Sequence, residues 1–168
     1  MFIGIPLAIF VLHSSGGEPR TFIRALFSCY FVALLIFLLF PTIGPTLADP
    51  NLFSTAYEHT QTYALTRLMA AEYTALQGSG VLSGLGYFVA LPSLHVAVAV
   101  LVQVFLYRSR VHFWLFLPIN LLVVPATIVL GYHYLLDVPA GVLLASAILA
   151  MPARNRARGL PRRRGNER

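Results

Sequence analysis

The chain has 168 residues, of which 58% are hydrophobic and only 11% are charged. A soluble domain of this size carries about 25% charged residues, so the composition excludes an ordinary soluble domain. All 12 basic side chains are arginines, and seven of them lie between Arg154 and Arg168, within a formal net charge of +6. Basic charge gathered at one end of an apolar chain indicates membrane topology and no nucleic-acid partner.

Four apolar segments are long enough to cross about 30 Å of hydrocarbon as helices. In chain order they are residues 22–40, 87–107, 111–130 and 134–151. The first 12 residues are also apolar, and we interpret them as a short or truncated span, because a signal peptide would have a basic start and a cleavage site of small residues. The sequence therefore predicts an all-α fold, a polytopic transmembrane helical bundle of about five spans within residues 1–151.

Two further segments complete the predicted organisation. In the connection 41–85, Thr55 and Glu58 fit a capping box and Gly78 fits a helix stop. This pattern predicts an interfacial helix at about 55–77, lying along the outer membrane surface or serving only as a packed lid. Residues 152–168 are rich in arginine, with proline and glycine, which predicts a basic, disordered, cytoplasmic tail.

The arginines also predict which way the spans run. If the tail is cytoplasmic, alternation of the spans puts the loops holding Arg20, Arg24, Arg108 and Arg110 on that side as well. Eleven of the 12 arginines then share one side, in keeping with the positive-inside rule. The outer side keeps Arg67 and the ends of the spans near residues 87–95 and 131–137.

Those outward ends hold polar groups that a membrane helix does not need. His133 and Asp137 are four residues apart, so in a helix the carboxylate can bind one ring nitrogen and leave the other free. Pro139 disfavours helix before it, which gives a start near Asp137 as the alternative boundary of the last span. His95 reaches the same outward level from another span. Ionisable residues at membrane depth are costly and usually functional.

Two imidazoles facing one pocket suit phosphoryl transfer, because one can attack phosphorus while the other protonates the leaving oxygen. We expect Ser93 and the free N–H groups beside it to hold phosphate oxygens. Arg67, as the outer cation, is the predicted phosphate clamp. The alternatives are interfacial histidines, a purely structural His133–Asp137 hydrogen bond, and a zinc site built from His95, His133 and Asp137. The zinc site ranks lower because no fourth protein ligand is evident.

Two motifs carry a family resemblance. The segment Pro-Ser-Leu-His-Val-Ala at 92–97 and the segment Gly-Tyr-His-Tyr-Leu-Leu-Asp-Val-Pro-Ala-Gly at 131–141 resemble the second and third motifs of the type 2 phosphatidic acid phosphatase superfamily. The Pro-Ser-Leu-His form is similar to its inositol phosphorylceramide synthase branch, which has many bacterial relatives. Phe-Pro-Thr at 40–42 is similar to a segment that follows an earlier span in those proteins. The resemblance covers residues 22–151.

The resemblance implies six spans, a site at the extracytoplasmic surface of a bacterial inner or plasma membrane, and no metal or other cofactor. It implies that His133 forms a phosphohistidine, that Asp137 orients it and that His95 is the general acid. The first motif of the superfamily, a lysine followed by Arg-Pro, is missing, and Thr127 stands where many members have an arginine. The synthase branch tolerates that replacement better than the phosphatases.

We therefore expect a membrane enzyme that takes a phosphoryl group or phospho-headgroup from a lipid phosphate or phospholipid. The acceptor is water, or an alcohol such as inositol in the transferase alternative. A non-catalytic or degenerate membrane subunit is a second alternative, favoured by the missing motif. A proton-conducting carrier is a third, and clustering of the ionisable groups at one end disfavours it.

Overall fold

The computed structural model describes residues 4–15, 18–49, 61–79 and 90–158. These residues form seven helices and no strand, in agreement with the predicted all-α class. In chain order the helices are α1 (Gly4–Ser14), α2 (Pro19–Leu39), α3 (Pro45–Ala48), α4 (Gln61–Ser79), α5 (Leu94–Leu106), α6 (Arg110–Val129) and α7 (Asp137–Arg158).

Helices α2 and α6 have 21 and 20 residues, and each is long and apolar enough to cross a membrane. They agree with the predicted segments 22–40 and 111–130. Helix α6 is almost entirely unburied and presents large apolar side chains outward. These include Trp114, Leu115, Ile119, Leu121 and Leu122. A face of this kind is costly in water and is compatible with hydrocarbon.

The structure corrects three predicted boundaries. Of the segment 87–107, the described helical part is Leu94–Leu106, about 20 Å long, because Ser93 caps the helix at its start. The last span begins at Asp137 rather than at residue 134. It then continues through Arg158, so residues 152–158 are helical rather than a disordered tail. Alanine and arginine there favour helix, and residues 159–168 lie outside the described part.

The predicted outer helix is present with different bounds. Helix α4 spans Gln61–Ser79, so Gly78 lies inside it and does not end it. The proposed capping box at Thr55 and Glu58 lies outside the described residues. Buried Met69 of α4 packs with Leu47 of α3 in a small apolar cluster, and this contact fixes α4 to the connection that follows α2.

Helix α5 lies at the centre of the bundle and contacts α1, α2, α6 and α7. Its buried residues are Val96, Ala97, Val98, Ala99, Leu101, Val102 and Leu106. Small side chains such as Ala25 and Ala145 lie in the same core and allow the helices to approach closely. Phe22, at the start of α2, packs edge to face on Phe105, at the end of α5, with ring centroids 5.1 Å apart.

At one end of the bundle, hydrogen bonds join the segment after α2, the segment before α5 and the start of α7. The Ala90 N–H donates to the Thr42 carbonyl at 3.3 Å, which joins the end of α2 to the start of α5. The Ser93 N–H donates to the Asp137 carbonyl at 3.1 Å, which joins the starts of α5 and α7. Helices α5 and α7 are therefore parallel, and α2 is antiparallel to both.

The opposite end of this bundle is basic. Arg20 and Arg24 lie in the first two turns of α2, Arg108 lies between α5 and α6, and Arg110 is the first residue of α6. Because α2 runs antiparallel to α5, both pairs lie at the end away from His95 and the loop before α7. The charge asymmetry predicted from the sequence thus coincides with the two ends of the helices.

Helix α7 approaches α5 so closely at Gly141 that a side chain does not fit. A Cβ there would lie 2.4 Å from the Ser93 carbonyl oxygen and 3.2 Å from Val96 Cβ. We expect Gly141→Ala to destabilise the fold by about 1–3 kcal/mol through overpacking, measured as a lower thermal midpoint in detergent. Gly78→Ala is the matched control, since nothing lies within 4 Å of its added Cβ. Equal midpoints for the two variants would contradict this contact.

Candidate active site

His133 lies in the short loop that joins α6 to α7, and the end of α6 fixes its backbone. Gly131 ends the helix with φ 69°, a conformation that glycine adopts without steric cost. The N–H groups of Tyr132 and His133 then both donate to the Thr127 carbonyl, at 3.0 and 3.2 Å. These bonds turn the chain so that the His133 side chain enters the protein, where only 3% of the residue is exposed.

The hydrogen bonds of the His133 ring determine its tautomer. Its Nδ1 lies 2.8 Å from the Ala90 carbonyl oxygen. A carbonyl can only accept, so Nδ1 carries the hydrogen and Nε2 of the neutral ring presents a lone pair. Burial lowers the pKa of His133 from its ordinary value, and the bond to Ala90 opposes that shift. The ring therefore stays neutral, and Nε2 stays unprotonated, to a lower pH than in a free histidine.

His95 lies in the first turn of α5 and meets this lone pair. Its Nδ1 is 3.0 Å from His133 Nε2, and the ring planes meet at 70°. Since His133 Nε2 is the acceptor, His95 Nδ1–H is the donor. The Tyr132 ring stacks on His95 with centroids 6.1 Å apart and an interplanar angle of 15°. One imidazole thus presents a nucleophilic nitrogen, and the other presents a proton to the same point.

Asp137 adjoins the pair through a turn rather than through helical spacing, because His133 precedes the helix. One carboxylate oxygen, Oδ2, accepts from the Tyr134 N–H at 2.7 Å and lies 3.6 Å from His133 Nδ1. The Ala90 carbonyl is therefore the nearer partner of that nitrogen, and the carboxylate adds negative charge beside it. Sequence reasoning missed Ala90 because the contact is made by a backbone oxygen, which any residue supplies.

Ser93 is fully buried, and its hydrogen bonds stabilise the starts of two helices. Its Oγ accepts from the Val96 N–H at 3.3 Å, which caps α5, and its own N–H binds the Asp137 carbonyl. None of its surface is exposed, and its bonds join the starts of α5 and α7. The contact between Ser93 and phosphate stays a prediction.

Arg67 lies on the exposed surface of α4. It precedes Met69, which packs against α3, by two residues, or about 200° around the helix. Arg67 is therefore on the side of α4 away from α3. Among the described residues, one hydrogen bond joins Ser93 to Asp137 and another joins His95 to His133. The Asp137 carboxylate lies 3.6 Å from the His133 ring.

The alternative of a zinc site finds no matching geometry in the described ranges. No group of three or more histidine, cysteine or carboxylate side chains there is arranged to hold a metal ion. The nearest ring nitrogens of His95 and His133 point at each other as donor and acceptor, whereas metal ligands converge on a common point. The other nitrogen of His133 is bound to Ala90.

The sequence model of the PAP2 superfamily matches residues 1–151. No curated protein and no solved structure matches the chain. Because the match covers most of the chain, the chain belongs to the PAP2 superfamily, as the two histidine motifs predicted. Members of this superfamily are phosphoesterases acting on phosphorylated substrates, which agrees with a site built from two coupled imidazoles.

Proposed function

We propose that this PAP2 superfamily member is a membrane lipid phosphatase or phosphotransferase that works through a phosphohistidine at His133. The observation that carries the proposal is the 3.0 Å contact between His133 Nε2 and His95 Nδ1, with His133 held in the Nδ1–H tautomer by Ala90. This arrangement puts a nucleophile and an acid on the same point of a substrate, as two-step phosphoryl transfer requires.

In the first step the Nε2 lone pair attacks phosphorus, an N–P bond forms, and the bond from phosphorus to the leaving oxygen breaks. His95 enters as an imidazolium, favoured by the anionic substrate, gives one proton to the leaving oxygen and becomes neutral. Positive charge that develops on the His133 ring is stabilised at Nδ1 by the Ala90 carbonyl and by the Asp137 carboxylate, 3.6 Å away. The two rings must part to admit phosphorus between them.

In the second step water or an alcohol attacks the phosphohistidine. Neutral His95 takes the proton from the incoming hydroxyl, and the N–P bond breaks to restore the Nε2 lone pair. Hydrolysis and transfer thus differ only in which hydroxyl enters, so the same site serves a phosphatase or a headgroup transferase. The Pro-Ser-Leu-His form of the motif at residues 92–97 supports membership of the inositol phosphorylceramide synthase-like branch.

Three exposed side chains beside His133 support a lipid donor. Tyr134, Leu135 and Leu136 are 45%, 72% and 78% exposed and follow the nucleophile directly in the chain. Exposed apolar side chains next to a phosphate-binding site favour a substrate whose acyl chains stay in the bilayer. Arginines lie at the opposite end of the bundle. By the positive-inside rule they support an extracytoplasmic active site and a cytoplasmic C-terminal tail.

A donor panel tests the proposal. Purified protein in lipid vesicles is given phosphatidic acid, diacylglycerol diphosphate and phosphatidylinositol, each with and without added inositol, and free phosphate and phosphoester products are measured. We expect one donor class to give product that the His133→Ala variant does not form. Added alcohol should divert product from free phosphate in a transferase and leave it unchanged in a phosphatase. No product from any donor would favour a non-catalytic membrane subunit.

A further inference from the structure

The segment that runs from the end of α2 into α3 contacts the loop before α5 and the loop before α7. At one end, Thr42 binds the backbone of residues 90 and 91. At the other end, buried Thr46 donates both its N–H and its hydroxyl to the Gly131 carbonyl, each at 3.1 Å. These two threonines lie four residues apart and fix the loop before α5 and the loop before α7 to one short piece of chain.

A single peptide group connects Thr42 to His133. The peptide joining Ala90 and Leu91 accepts from His133 Nδ1 at its oxygen, at 2.8 Å. The N–H of the same planar group donates to the Thr42 hydroxyl oxygen at 3.0 Å. Because a peptide group is planar and rigid, the bond at one edge sets the direction of the oxygen at the other. The Ala90 N–H, bound to the Thr42 carbonyl, holds the preceding peptide group.

The geometry points to Thr42 as a positioning residue for His133, acting through the orientation of the Ala90–Leu91 peptide group. Loss of the hydroxyl leaves the Leu91 N–H without its acceptor, and the peptide can then rotate to find another. Rotation withdraws the Ala90 oxygen from Nδ1, and the ring loses both its tautomer preference and its aim. A displacement of a reacting group by about 1 Å can cost roughly a hundredfold in rate.

This inference rests on the proposed function for its effect on turnover, but its effect on the His133 ring can be measured without any substrate. The groups that face this ring are His95 at Nε2, the Asp137 carboxylate and the Ala90 carbonyl at Nδ1. Of these, the Ala90 bond raises the pKa of His133. Removing it therefore lowers that pKa further, and neutral His133 persists to still lower pH.

The test compares Thr42→Val, which keeps the shape and removes the hydroxyl, with Thr42→Ser, which keeps the hydroxyl. Thr74→Val is the matched control, because that hydroxyl binds the Ala70 carbonyl within α4, on an exposed face. Nitrogen-15 NMR of histidine-labelled protein reads the tautomer and titration of His133. Turnover of the donor found active in the panel gives kcat, KM and the acid limb of the pH profile.

We expect Thr42→Val to lower the midpoint of the His133 titration and reduce the Nδ1–H tautomer. It should cut kcat about tenfold to a hundredfold with little change in KM, and move the acid limb to lower pH. Thr42→Ser and Thr74→Val should match wild type in all of these. A His133 signal in Thr42→Val identical to that of wild type overturns the inference, as does a Thr42→Ser variant as impaired as Thr42→Val. Turnover that survives His133→Ala would instead refute the proposed function and leave the NMR result standing.

Discussion

Replacing His133 with alanine is expected to remove turnover of every donor, with a loss in kcat/KM on the order of 10⁴-fold or more. The reason is that in the proposed mechanism Nε2 supplies the electron pair for the N–P bond. His95 cannot take over, because its Nδ1 carries the proton that faces this point and Tyr132 stacks against its ring.

The proposed phosphohistidine can be measured directly. Donor labelled at phosphorus is mixed with enzyme, and the reaction is quenched in alkali, because an N–P bond is labile to acid. Wild type should carry label on His133, and His133→Ala should carry none. His112→Ala is the matched control, since that histidine binds Ser109 at the opposite end of the bundle and its loss should leave labelling intact. Label retained by His133→Ala would show another nucleophile.

Much of this site was predictable because its side chains are rare in membrane segments. His95, His133 and Asp137 stand out in an apolar chain, and the charge asymmetry independently put them at one end. The structure adds that the two rings are in direct hydrogen-bonding contact. The sequence predicted only that both histidines lie at the same depth in the membrane. Superfamily membership followed from the same residues, since the two histidine motifs carry most of the specific pattern.

What the sequence did not predict depends on backbone atoms and local turns. The Ala90 carbonyl and the Thr42 bond to the next amide have no signature in residue type. Spacing predicted that His133 and Asp137 share a helix face, but α7 begins at Asp137. Pro139 is then the third residue of the helix, where its missing N–H has no partner to lose. The role of Arg67 as a phosphate clamp was inferred only from the predicted side of the membrane, and it stays a prediction.

Replacing His95 with alanine should slow the first step of the reaction by an amount that depends on the leaving group. An alkoxide leaving from a lipid phosphate needs a proton, so without the acid the first step should slow by about 10²–10⁴-fold. A nitrophenolate leaves without protonation, so 4-nitrophenyl phosphate should still phosphorylate His133 at a rate near that of wild type. The same substitution in His133→Ala background should abolish both reactions.

The second half-reaction makes this prediction sharper. In the proposed mechanism neutral His95 is also the base that takes the proton of the incoming water, so His95→Ala should hydrolyse its phosphohistidine slowly. With 4-nitrophenyl phosphate the variant should therefore release a burst of nitrophenol equal to the amount of enzyme, followed by a slow phase, while labelled His133 accumulates. An equal loss with the alkyl and aryl donors, and no burst, would mean that His95 acts on the position of His133 rather than on proton transfer. The 3.0 Å contact between the rings is compatible with proton transfer by His95 and with positioning of His133. The dependence of the rate on the leaving group distinguishes these roles, because only proton transfer responds to the basicity of the departing oxygen.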